Sequence, residues 1–145
     1  MFAEELEKRF PYARYHADHR LVTWFPEGAL TDERADQIVD FLEMAEQVEG
    51  QSFDRYTDMT GHTRIQIGLD HVVRIARRRL RYPGPPVKSA FFATRTISLS
   101  IARMYAELME GSRIQVCTFR ERAAAANWLS VPEAILQPPS DSSPP

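Results

Sequence analysis

Residues 87–93, Val-Lys-Ser-Ala-Phe-Phe-Ala, constrain the fold more than any other stretch of this chain. A strand sends successive side chains to opposite faces. Here both parities are largely apolar, with Val87 and Phe91 on one and Ala90 and Phe92 on the other. A strand of that kind belongs inside a sheet that is covered on both sides.

The segments around it alternate between strand and helix periods. Phe2, Leu6 and Phe10 recur at helical spacing until Pro11 stops them. Residues 12–17 and 21–25 read as strands, and Asp18-His19 as the tight turn of a hairpin between them. Pro26-Glu27-Gly28 ends the second strand. Thr31-Asp32-Glu33 is a helix start, with a capping hydroxyl and two acids at the positive end of the dipole. Ala35, Ile38, Leu42 and Ala45 follow on one stripe, widened by Val39 and Phe41, and Gly50 closes the helix region.

Residues 52–59 form the third strand. The run Arg55-Tyr56-Thr57-Asp58-Met59-Thr60-Gly61-His62 then passes from strand to loop, and a second helix follows over 69–81. Its predicted inner face is Leu69, Val72, Val73, Ala76 and Leu80. Tyr82-Pro83-Gly84-Pro85-Pro86 returns the chain to the sheet as strand 87–93. Thr94 is placed to cap a third helix carrying Ile97, Ile101, Met104, Tyr105 and Leu108, which Gly111 stops. Residues 113–119 make a fifth strand. Residues 121–129 make a fourth helix, with Ala124 and Trp128 paired on one face.

The expected order is β-β-α-β-α-β-α-β-α, an α/β domain with a mixed sheet of about five strands and four main helices. Residues 1–11 are expected to form a helical extension, 12–131 the domain, and the Pro- and Ser-rich 132–145 a disordered tail.

Charge and composition bound the function classes. A net charge of −2 argues against a general grip on nucleic acid or anionic membrane. No apolar run is long enough to span a bilayer, and the acidic start has no signal-peptide core, so a cytoplasmic location is expected. The single cysteine, Cys117, excludes an internal disulfide.

Four local patterns resemble STAS-like domains, the fold of bacterial anti-sigma factor antagonists. Among these the chain is most similar to small stand-alone bacterial proteins sometimes grouped with CRAL-TRIO lipid-binding domains. Gly28-Ala29-Leu30-Thr31 looks like the lead-in to the first long helix. Tyr56-Thr57-Asp58-Met59-Thr60-Gly61 looks like the strand end. Ala102-Arg103-Met104-Tyr105 looks like the third helix. Phe119-Arg120-Glu121-Arg122 with Asn127-Trp128-Leu129 looks like the closing segment. The resemblance covers residues 12–129. It implies a regulatory or ligand-binding module, usually without catalysis. Anti-sigma factor antagonists carry a phosphorylatable serine just before the second helix. The corresponding run here, Ile65-Gln66-Ile67-Gly68-Leu69, has no Ser or Thr; Thr60 and Thr63 are nearby hydroxyls at other positions.

The candidate site lies at the carboxyl edge of the sheet, where open α/β folds place theirs. Asp58 at a strand end either binds a ligand or ties down its own turn, and turn-making is the commoner role of Asp. Thr60 carries the same ambiguity. Thr94, Arg95 and Thr96 open a helix whose free N–H groups suit an anion, or a cap. Asp58, Thr60, His62, Thr63, Thr94, Arg95 and Thr96 are therefore expected to form one recognition surface.

No residue set announces a reaction, so no catalytic residues and no cofactor are expected. Asp58 and His62 as an acid–base pair are the weakest of three functional alternatives. The first is a regulatory protein partner. The second is an apolar small ligand held between a helix layer and the sheet. A homodimer also fits a small domain with so many aromatic residues. Neither His62 with His71 and Asp70, nor His16 with His19, supplies three convergent ligands, so no metal is expected. Cys117, within a strand, reads as a small core residue. Arg74, Arg77, Arg78, Arg79 and Arg81 read as a solvated helix face paired with acids of the 31–49 helix, rather than as a binding patch. Phe91, Phe92, Met104 and Tyr105 read as core.

Overall fold

The computed structural model describes residues 2–47 and 52–139. Helix α1 (Phe2–Arg9) precedes an antiparallel hairpin of β1 (Ala13–His16) and β2 (Leu21–Trp24). A 3-10 turn at Ala17–His19 joins the two strands, and Arg20 closes it in the left-handed region at φ 48°. Then come β3 (Gly28–Leu30), α2 (Asp32–Glu46), β4 (Asp54–Asp58), β5 (His62–Ile65), α3 (Leu69–Arg79), β6 (Val87–Phe92), α4 (Thr96–Leu108), β7 (Ile114–Phe119) and α5 (Arg122–Leu129).

The main sheet has five strands in the order β1-β2-β4-β6-β7. Only the opening hairpin is antiparallel; β2-β4, β4-β6 and β6-β7 are parallel. The mixed α/β class expected from the sequence is thus the observed one. β6 is an interior strand, as its two apolar parities require. On one face Tyr56, Ala90 and Phe92 pack beneath Ala125, Ala126 and Leu129 of α5. On the other, α2, α3 and α4 bring Val39, Ile75, Leu99 and Ala102 against Met59 and Ala93.

Several expectations are corrected. The run after Asp58 is no open loop. It makes a 3-10 turn at Met59–Gly61 and then β5, which pairs in parallel with β3 as a second, two-stranded sheet. Gly61 permits this, because a Cβ there would stand 2.5 Å from the Pro26 carbonyl oxygen. The buried face of α3 is Val72, Ile75, Ala76 and Arg79; Leu69 and Leu80, expected inside, are 61% and 48% exposed. On α4 the buried residues are Ser98, Leu99 and Ala102, and Ile97 is exposed. The N-cap of α4 is Arg95, so Thr94 does not cap it. On α5 the buried residues are Ala125, Ala126 and Leu129, and Ala124 is exposed.

Neither end of the chain behaves as an appendage over its whole predicted length. Leu6 of α1 is fully buried with Trp24, Phe41 and Phe53. Leu136, in a 3-10 turn at Glu133–Leu136, is fully buried under α5. The packed domain therefore begins before residue 12 and continues past 131. Gly50, read as the helix stop, and residues 140–145 of the expected tail lie outside the described residues.

Candidate functional site

At the carboxyl end of β4 the side chain of Asp58 is 2% exposed and fully engaged by its own protein. Its Oδ1 accepts the Thr60 backbone N–H at 2.9 Å and the Thr60 hydroxyl at 2.6 Å. Its Oδ2 accepts from Arg122 of α5 at 3.0 Å. This is the turn-making role, extended by an ion pair to a helix 64 residues away in sequence. Arg122 also lies over the Phe92 ring, 4.7 Å from its centroid. Beside it the Tyr56 hydroxyl is buried with no hydrogen-bond partner among the described residues, and burial pushes its pKa up.

His62 is buried on β5, and its Nδ1–H donates to the Gly28 carbonyl at 3.2 Å. Burial pulls its pKa below the ordinary value; the Gly28 carbonyl opposes this and Arg34 adds to it. Arg95 donates to the His62 carbonyl oxygen at 3.0 Å, which stitches the start of α4 to β5. The two segments expected to share one edge are therefore adjacent. Asp58 and His62 are interior members of that edge, while Thr60, Thr63, Thr94, Arg95 and Thr96 are exposed. The carboxylate and the imidazole each serve local structure, and no hydrogen bond joins them among the described residues.

A second site lies on the opposite face of the same strand. Alternation turns Tyr56 and Asp58 towards α5 and Arg55, Thr57 and Met59 towards α2–α4. There the sheet and the three helices line a partly open cavity of about 160 Å³. Its wall is mostly apolar, with Ile38, Leu42, Ile75, Phe91 and Ile101 prominent. The polar lining comprises Arg55, Thr57, Ser89, Arg79 and Tyr105, and Arg55 and Ser89 are side by side in the β4–β6 register.

The charges there are buried. Glu46, at the end of α2, takes Arg79 through both carboxylate oxygens and Arg55 at 2.6 Å. The side chains of Glu46, Arg55 and Arg79 are 6%, 4% and 3% exposed. Arg55 also donates to the Phe53 carbonyl at 3.0 Å and stacks on the Phe53 ring. Tyr82 lies beneath both guanidiniums. Burial pulls the Arg55 guanidinium down, and Glu46 offsets only part of that. At Arg79 burial acts the same way, but its two bonds to Glu46 prevail and the pKa is raised. Burial pushes the Tyr105 hydroxyl up to about 12, against the pull of Arg79.

Arg79, expected on a solvated face, is buried. Arg78 does behave as expected: it is partly exposed and pairs with Asp40 and Glu43 of α2 at 2.7 Å each. A signal for Arg79 was present, since it stands at i+7 from Val72 and i+4 from Ile75 on the apolar stripe. Arg55 and Glu46 carried no comparable sign. Phe91 and Tyr105, read as core, meet edge to face at 5.8 Å on the cavity wall. Cys117 is half-buried in β7. His71 pairs with Asp36 at 2.7 Å, across from α3 to α2.

No protein-family model matches the chain, and no curated protein is similar to it. The chain is similar to a solved structure of an uncharacterised protein of the DUF3478 family with a SpoIIAA-like fold, from Shewanella loihica. The two share 15% identity over 75% of this chain and 83% of the other, with a TM-score of 0.48.

Proposed function

We propose that this chain is a non-enzymatic binding domain whose principal ligand is a small molecule held between the sheet and helices α2–α4. One observation carries this reading: the apolar cavity of about 160 Å³ has arginines of two different elements in its wall. Apolar cavities of about 150 Å³ take up guests as large as benzene. Native mass spectrometry of freshly purified protein tests it, with a retained small mass released on unfolding as the expected result. Absence of any retained mass, together with no thermal shift across a library of single-ring and short-chain compounds, contradicts it.

A regulatory protein contact at the carboxyl edge is the second reading. It is favoured by the Arg95–His62 bond, which holds both predicted segments together with Thr60, Thr63, Thr94 and Thr96 exposed around it. Thr63→Arg together with Thr96→Arg, both at exposed positions, is expected to weaken a partner's affinity at least tenfold while the melting temperature stays within a few degrees. Unchanged affinity contradicts this reading.

A further inference from the structure

We propose that the cavity selects a monoanion of about benzoate size, a carboxylate on one ring or on a short branched chain. Its head lies against Arg55, Ser89 and Arg79, and its apolar body among Ile38, Ile75 and Phe91. This rests on reading the cavity as a ligand site.

Size sets the first limit. Pockets for drug-sized ligands span roughly 300–1,000 Å³, so the observed 160 Å³ admits a single ring or a few carbons. A long acyl chain would leave most of its length outside that volume. Charge sets the second limit. Among the described residues, Arg55 and Arg79 share Glu46 as their one deeply buried carboxylate. Glu43 is 3.9 Å from Arg79, but it is a third exposed and accepts from Arg78 at 2.7 Å. A buried, undercompensated cation is costly, and a bound anion removes that cost. A single negative charge matches the excess, whereas a dianionic phosphate overshoots it.

Layout sets the third limit. Arg55 is the cation with the weaker hold on Glu46, since Arg79 engages both oxygens. It is also the one on the sheet, in register with Ser89. Guanidinium and hydroxyl donors side by side suit a carboxylate. The apolar wall discriminates against small hydrated anions, which would lose their water with nothing gained.

Isothermal titration with benzoate and with nitrobenzene, its neutral isostere, tests the proposal on the intact protein. Benzoate is expected to bind at least tenfold more tightly than nitrobenzene. Ala102→Leu, which adds bulk at the cavity wall, is expected to weaken both at least tenfold. Amide shifts of Thr57, Ser89 and Phe91 on titrating the wild-type chain locate the site even where that variant does not fold. Equal or reversed affinities with those same shifts overturn the anion preference and leave the cavity reading standing. Binding of neither compound overturns both. Benzoate binding that Ala102→Leu leaves unchanged, or that shifts only surface amides, overturns the proposal by placing the anion elsewhere.

Discussion

Arg55 and Asp58 stand three residues apart on one strand and serve opposite layers. Asp58 is used up by Thr60 and Arg122, so its burial is a matter of stability. His62 shows the same economy of role and yields a pH prediction. The imidazole is buried, and its folded pKa lies below the ordinary 6.5. The unfolded chain therefore binds a proton first as pH falls, and stability is lost from about 6.5 down to the folded value. Below that value both states are protonated and the loss stops. His16 is shifted in the same direction, again chiefly by burial, so part of the effect is its own. Urea denaturation at stepped pH is expected to show a shallower acid loss for His62→Gln than for the wild type. Gln retains an N–H for the Gly28 carbonyl, so the comparison isolates the titration. Identical slopes contradict the assignment.

Helices α2 and α3 are joined by two kinds of ion pair, and they are not of equal weight. Arg78 meets Asp40 and Glu43 near solvent, where such pairs contribute about 0–1 kcal/mol. Glu46 meets Arg55 and Arg79 in the interior. Removing one partner of a buried cluster leaves charge without compensation and costs about 3–5 kcal/mol. Glu46→Ala is thus expected to destabilise the fold by several times as much as Arg78→Ala, as chemical denaturation would measure. Comparable losses would mean that Glu46 is not the keystone of this seam.

The same elements show what the sequence could and could not tell. The five strands of the main sheet were legible because turn and helix signals bound each of them and β6 is apolar on both parities. β3 and β5 went unseen: Gly28-Ala29-Leu30 spans three residues, and His62-Thr63-Arg64-Ile65 carries a single aliphatic side chain. On α3 the expected inner face omitted Ile75 and Arg79, both buried, while Leu69 and Leu80 sit at the helix ends, beyond the packed stretch. Of the candidate site, the adjacency of the 58–63 and 94–96 segments was legible from strand order. The cavity was not, since it depends on three helices and a strand face meeting around Arg55, Glu46 and Arg79.

Taken whole, the molecule is a mixed sheet with two unlike covers. Below, α5 and the turn at Glu133–Leu136 form a dense apolar layer on Tyr56 and Phe92. Above, α2, α3 and α4 line the partly open cavity. The carboxyl edge, where Asp58 and Arg95 sit, adjoins both layers, so the predicted recognition surface and the cavity are separate features of one strand. No described helix is long and apolar enough to cross a membrane. Small molecules are proposed to enter the α2–α4 side of the sheet. Intermolecular nuclear Overhauser contacts between benzene and the protein's methyl groups test this directly. Contacts to Ile38, Ile75 and Ile101, which line the cavity, are expected. Contacts confined to the exposed Leu69 and Ile97, or none at all, would contradict it.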